Sequence, residues 1–358
     1  MSQKRYRVGI AGVTHGHVSA HLREWKTLPN VEVVAIADAN REEREAYVRR
    51  FELQGVREYD SSAAMFEAEE LQVASVCNET SAHAEVVEQA AQRGVHCIVE
   101  KPLAFSLADA ERMLAAAGKH GVQVLTNYPT RWGGRVTPRA LEFVRQGGIG
   151  RPYEVRHRGG GTKPRAADAN TFFRWLYQPR YNGAGAFMDY CCYGTDMAVG
   201  VLGTPASVYA IAGRWQRDDL ITDDNARMLL QYPRGGAVIE ATWTQFGHLP
   251  FSTLFLGETG TLAIGQEGAV LYTAENERSG GRELPLDDLP LPAPEEHLLG
   301  HLIACLEQGT PAVASAGVAF QRDVTEVLDA GLRSVSRGAV VHLPLPLPLM
   351  QAGGGHER

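Results

Sequence analysis

Two textures in one chain predict an α/β protein in two parts: an N-terminal domain on a parallel sheet, then an α+β domain with a large, mostly antiparallel sheet. The first observation is length, since 358 residues exceed what one hydrophobic core usually organises. The second is that short apolar runs alternate with helical patterns over the first third, as βαβ units do. The third is that later strands follow one another through short glycine-containing turns, which favours antiparallel pairing.

"YRVGIAG" reads as the first strand, and "HVSAHLREWKTL" as a helix whose Val18, Leu22 and Trp25 share one face. "VEVVAIAD" is the second strand and "REEREAYVRRF" the second helix, followed by the strand "VREYD" and a helix around "SAAMFEAE". The strand "VASVCN", the helix "AHAEVVEQAAQRG", the strand "HCIVEKP", the helix "SLADAERMLAAAGKHG" and the strand "VQVLTNY" complete the pattern. Six strands with helical crossovers make a Rossmann-type dinucleotide-binding domain over residues 1–126.

Residues 127–345 form the second domain, where "YEVRHRGGG", "ASVYAIAGRW", "NARMLLQY", "GAVIEATWTQF", "FSTLFLGETGTLAIG" and "GAVLYTA" read as strands. "AFMDYCCYGTDMAVGVLG", "EEHLLGHLIACLEQG" and "QRDVTEVLDAGLRSVSRG" read as helices. An open sheet face carrying Trp243, Phe246 and Phe255 would need cover, either from helices of the same chain or from a second copy, so a homodimer or homotetramer is expected. Residues 346–358 alternate Leu with Pro and then lose apolar content, the pattern of a flexible tail.

The 42 acidic and 35 basic residues leave a formal charge of −7, which gives nucleic acid or an anionic membrane no electrostatic attraction. No apolar run approaches the roughly 20 residues of a membrane span, and "MSQKRYRVGIAG" enters a strand without the pattern of a signal peptide, so a cytoplasmic protein is expected. The five cysteines are odd in number and show no CxxC spacing, which argues against a disulfide framework or a zinc ribbon. Small polar ligands fit these numbers.

The turn "VGIAGVTHGHV" lies where a dinucleotide fingerprint belongs. Gly12 suits the tight turn, but Thr14 and His17 stand where the second and third glycines would be, and Gly16 falls one position early. The helix N-terminus still offers free amides, and the Thr14 hydroxyl could donate to a phosphate. Asp38 ends the second strand and could accept from an adenosine ribose; its charge would repel a 2′-phosphate, so NAD is favoured over NADP, with Arg41 nearby. The alternative for Asp38 is a surface acid. His15, His17 and His21 invite a metal, but no acid stands in the spacing of H-E-x-x-H, and no metal is expected. His15 and His17 read instead as solvated or phosphate-adjacent.

"IVEKPLAF" sets Glu100 and Lys101 at a strand end, where ligands bind in open α/β sheets. Pro102 biases Lys101 to an extended conformation. Alone, the pair reads as a surface ion pair. In "NGAGAFMDYCCYGTDMA", small residues lead into a helix carrying Asp189 and Tyr193 four apart on one face. An acid and a phenol together can bind a hydroxyl and exchange its proton, and a lysine cation beside the phenol would lower its pKa. Lys101 is the natural partner, with Glu100 as its anchor.

These stretches, with "GVHCIVEKPLAFSLADAERML", "LGETGTL" and "LRSVSRGAVVHLPL", resemble the Gfo/Idh/MocA oxidoreductases over nearly the whole chain. The resemblance implies that Lys101 of E-K-P is catalytic, with a proline often preceded by a cis bond, and that Asp189 contacts substrate. Tyr193 stands where many members have histidine, and a tyrosine-containing subset uses that position as acid-base residue. "NETSAH" replaces the more usual T-P-N-x-x-H, keeping His83 and placing Asn78 and Glu79 by the nicotinamide, and "TRW" sets Arg131 and Trp132 toward the cofactor cleft.

The function expected is an NAD(P)-dependent dehydrogenase or reductase acting on a secondary alcohol or ketone of a sugar, cyclitol or related polyol. Its catalytic residues would be Lys101, Tyr193 and Asp189, and its cofactor would meet Gly12, Thr14, His15, Gly16, His17, Asp38, Asn78, Glu79, His83, Glu100, Lys101, Arg131 and Trp132. The stretch "TKPRAADANTFFRWLYQPRYNG" would shape specificity, with Arg174, Trp175, Arg180 and Tyr181 as further substrate contacts. The rival readings are an NAD-retaining glycosidase or lyase working by transient oxidation, and a non-catalytic sugar sensor.

Overall fold

The structure is a computed structural model that describes residues 5–129, 136–247, 252–265, 268–285, 289 and 297–346. Strands β1 (Tyr6–Ala11), β2 (Val31–Ala37), β3 (Arg57–Tyr59), β4 (Val73–Val76), β5 (His96–Glu100) and β6 (Val124–Asn127) form one sheet in the order β3-β2-β1-β4-β5-β6. Every pair in it is parallel. The helices between them are α1 (Val18–Thr27), α2 (Arg41–Arg50), α3 (Ser62–Ala68), α4 (His83–Gln92) and α5 (Leu107–His120). Asn40, Ser61 and Ser106 cap α2, α3 and α5 by accepting from the amides of Glu43, Ala64 and Asp109. The expected face of α1 is the buried one: Val18, Leu22 and Trp25, with His21.

The strand order reverses beside β1, so the ends of β1, β4 and β5 lie together and open a crevice at their carboxyl edge. That edge carries Gly12, Asn78, Glu100 and Lys101.

The second sheet holds β7 (Pro152–Gly160), β8 (Ser207–Gly213), β9 (Asn225–Tyr232), β10 (Gly235–Thr242), β11 (Thr253–Gly257), β12 (Thr261–Ile264), β13 (Ala269–Tyr272), β14 (Arg282–Leu284) and β15 (Val341–His342). Their order is β14-β13-β12-β11-β7-β10-β9-β8-β15, antiparallel throughout except for the parallel pair β7–β10. The helices Cys192–Leu202 and Val318–Arg337 pack on one face of this sheet. The latter also packs on α5 and β6. The helix Leu298–Gln308 returns to α1, where Glu24 accepts from the amides of Leu299 and Gly300 at 3.1 and 3.3 Å. One apolar cluster therefore runs through both sheets, from Tyr6 and Trp25 to Phe187 and Phe255.

Two expectations are corrected. Trp243 and Phe255 are fully buried within the chain, and of the three aromatics assigned to the open face only Phe246 is exposed. The open face carries Tyr209, Ile211 and Leu229 instead, because the period-two alternation of β8 and β9 sends these outward while Val208, Ala210, Met228 and Leu230 face the helices. The stretch after Ala186 is also not one α-helix: Phe187–Cys191 is a π-turn that passes into the α-helix Cys192–Leu202. Of the tail, residues 347–358 lie outside the described residues.

Candidate active site

Lys101 follows the last residue of β5, ahead of a cis bond to Pro102. Its side chain leaves the first domain and meets the π-turn of the second. Nζ lies 2.7 Å from Asp189 Oδ1 and 2.9 Å from the Asp189 carbonyl oxygen. The other carboxylate oxygen accepts from Trp243 Nε1 at 2.9 Å. Lys101 and Asp189 are both buried. Burial works against the Lys101 cation, but Asp189, helped by Tyr193 and Cys192, outweighs it and holds the ammonium pKa well above 10.5. The same pairing overcomes the burial of Asp189 and keeps its pKa below 3.8.

Tyr193 lies one turn on, its ring centroid 5.0 Å from Lys101 Nζ and edge-on to Tyr128 at 5.5 Å. Here an expectation fails. The lysine is spent on Asp189, and burial raises the Tyr193 pKa further than Lys101 lowers it, so the phenol stays protonated at neutral pH.

Glu100 does not anchor the lysine ammonium. Its Oε1 accepts from Asn127 Nδ2 at 2.8 Å and meets His21 Nε2 at 2.8 Å, and its Oε2 meets His17 Nδ1 at 2.8 Å. Only the backbone amide of Lys101 reaches it, at 3.3 Å. His21 Nδ1 and Trp25 Nε1 both bond Ser75 Oγ, which carries the network beneath the sheet. His15 is buried rather than solvated, packed edge-on against Phe172 and His17, while His17 is partly exposed.

The first turn fits a dinucleotide. The amides of Thr14 and Gly16 have no acceptor among the described residues, and the buried Asn78 Oδ1 has no donor there. Gly12 sits at φ +85°, where a Cβ would come within 2.5 Å of Asn78, so the turn and the end of β4 close up only around glycine. Asp38 lies at the end of β2, accepting from Val13 N at 2.8 Å, Asn40 N at 2.7 Å and the Thr14 hydroxyl at 3.3 Å. Thr14 therefore donates to Asp38 in this structure.

Other expected residues stand further back. His83 is fully buried between the carbonyls of Leu103 and Asn78, at 3.1 and 3.2 Å, and supports the cleft wall from behind instead of facing a ligand. Glu79 is half-buried ahead of the short turn Thr80–Ala82. Arg131 and Trp132 lie outside the described residues. Trp175 is buried and donates to the Thr14 carbonyl at 3.1 Å, so the segment Thr171–Leu176 lies over the first turn. Arg174 is exposed and bonds the Ala169 carbonyl, and Arg180 stacks on Tyr181 with 4.5 Å between guanidinium carbon and ring centroid. None of these last three contacts Asp189 or Tyr193. Sequence reasoning missed Trp243, taken for a surface aromatic, and Lys163, whose Nζ reaches Tyr190 Oη at 2.6 Å. No local pattern marks either, because each meets the site across distant strands.

A family model described as an oxidoreductase family with an NAD-binding Rossmann fold matches residues 6–128, and one for the GFO/IDH/MocA C-terminal domain matches 138–263. A D-apiose dehydrogenase of Paraburkholderia graminis is 37% identical over 153 residues, which is 42% of this chain and only 39% of that protein. A myo-inositol 2-dehydrogenase of Thermotoga maritima is 26% identical over 288 residues, 78% of this chain and 81% of that one. Among solved structures, a levoglucosan dehydrogenase in complex with NADH and levoglucosan superposes with a TM-score of 0.80, at 20% identity, over 95% of this chain and 100% of that chain.

Proposed function

The chain belongs to the Gfo/Idh/MocA oxidoreductase family, and from that premise we propose that it is an NAD-dependent dehydrogenase or reductase acting on a secondary alcohol or ketone of a sugar, cyclitol or related polyol. The observation that carries this reading is the buried Lys101–Asp189 pair under Tyr193, formed across the two domains beside a turn with unpaired amides. The bound nicotinamide would give or take the hydride. Thr14 and Gly16 amides would hold phosphate, and Asn78 would meet the cofactor from β4. Lys101 holds the reacting oxygen by charge, and Asp189 accepts from a neighbouring hydroxyl of the substrate. Tyr193, protonated at rest, gives that oxygen its proton when a ketone is reduced.

NAD should raise the melting temperature, since a ligand of the native state must stabilise it. Tyr193→Phe and Lys101→Ala should each lower turnover by about 10²- to 10⁴-fold, the usual share of proton catalysis. Measured on a panel of sugars and cyclitols by nicotinamide absorbance, wild-type rates in Lys101→Ala would overturn the assignment. The exposed row Tyr209, Ile211 and Leu229 supports a further reading, that two or four copies associate through the open sheet face.

A further inference from the structure

Beneath the first turn, two of its own side chains and one from the distant end of β5 converge on one point. His15 Nδ1 and His17 Nδ1 lie 3.7 and 2.8 Å from the same oxygen, Glu100 Oε2, and the three residues each offer a ligand atom within 4.8 Å of the other two. We propose that His15, His17 and Glu100 form a binding site for a divalent transition metal of the zinc class. Bonds of about 2.0–2.1 Å in a tetrahedral arrangement set ligand atoms roughly 3.3 Å apart. The two observed separations bracket that spacing, so small side-chain rotations would admit the ion.

The donors select the metal. Two imidazole nitrogens and one carboxylate suit zinc, cobalt or nickel, whereas calcium and magnesium take oxygen shells. His15 Nδ1 accepts from the backbone amide of His17 at 3.3 Å, so that nitrogen carries no proton, as a ligand nitrogen must not. The supporting shell is already in place. Glu100 Oε1 is fixed by His21 and Asn127, and His21 is itself oriented by Ser75, while Oε2 takes the Lys101 amide at 3.3 Å and turns its other side to the two histidines. His15 and Glu100 are buried, but the His17 side chain is 31% exposed, which leaves an entry path. The H-E-x-x-H spacing carries its acid on the same helix as its histidines. Here the acid comes from β5 instead. The site does not depend on the redox reading.

The test is metal uptake by the full chain, stripped with chelator and then dialysed against Zn²⁺ or Co²⁺ with bound metal quantified. The wild type should take up one ion per chain, and Co²⁺ should give the ligand-field spectrum of a low-coordinate nitrogen and oxygen site. His17→Ala should weaken uptake by more than the roughly 10- to 100-fold that loss of a supporting partner costs. His342→Ala, an exposed histidine on β15, should leave it unchanged. Glu100→Gln should also lose the ion; if it does not fold, His17→Ala decides alone. A wild type with no stoichiometric ion, or a His17→Ala variant that keeps it, overturns the proposal.

Discussion

Lys101, Asp189 and Tyr193 could be named from the sequence because each sits in a short pattern with its own logic: a strand end before proline, and two positions one turn apart. What each side chain touches could not. Lys101 and Asp189 satisfy one another, so the phenol is left to burial, and its protonated state follows from that competition. A second buried base makes a prediction of its own. His157 Nδ1 bonds Thr253 Oγ1 at 2.8 Å, while Nε2 is shut from solvent without a partner, and burial lowers the pKa from 6.5 to about 4. Between those values the unfolded chain binds a proton that the native ring refuses, so the stability this group provides is complete above 6.5 and is lost as pH falls toward 4. Melting temperatures taken across that window should therefore fall more steeply for the wild type than for His157→Gln. Parallel curves would show that His157 titrates as an ordinary histidine.

The parallel sheet was legible strand by strand, since runs buried on both faces and separated by capped helices admit few other readings. The π-turn was not, because its sequence has an ordinary helical spacing and the extra residue is enforced from outside. Asp223 accepts from the amides of Gly185 and Phe187 at 2.6 and 2.7 Å, which pins the entrance of the turn that aims Asp189. A Cβ on Gly185 would stand 2.0 Å from the Asp223 carbonyl oxygen, an atom that cannot swing away. Gly185→Ala should thus cost about 1–3 kcal/mol, as overpacking does, and should depress turnover through a displaced Asp189. Gly118, exposed on α5 with open space around it, gives the opposite sign: Gly118→Ala should add about 0.5–1 kcal/mol of stability. Denaturant midpoints of the two variants compare the sites directly, and equal shifts would remove the special role given to the turn's entrance.

The two sheets meet through helices that the chain sends back after building the second domain, a placement set by tertiary packing and absent from any local pattern. The helix Val318–Arg337 lies on both α5 and β8, so movement of one domain against the other must shear that contact. On the inner face of the large sheet it covers β8, beside the helix Cys192–Leu202 over β7 and β10, while Trp243 is buried against Tyr177 and Asp189; the outer face is left to be explained. There Tyr209 lies opposite Leu229, and Leu229 opposite Val238, which makes an apolar row across β8, β9 and β10. Beside that row, Arg227 and Arg158 flank Glu240 at 2.7 and 3.7 Å, so the charges next to the apolar strip are already balanced within the chain. Such a strip can be covered by its own symmetry mate without stranding a charge. Leu229→Asp is the informative change. On an exposed strand position it should shift folding stability by no more than about 0.5 kcal/mol. In an interface it would bury an unpaired carboxylate, so light scattering should report a dimer or tetramer for the wild type and a smaller species for the variant. A wild type that is monomeric at micromolar concentration ends the idea, and an assembly that Leu229→Asp leaves intact moves the interface off this face.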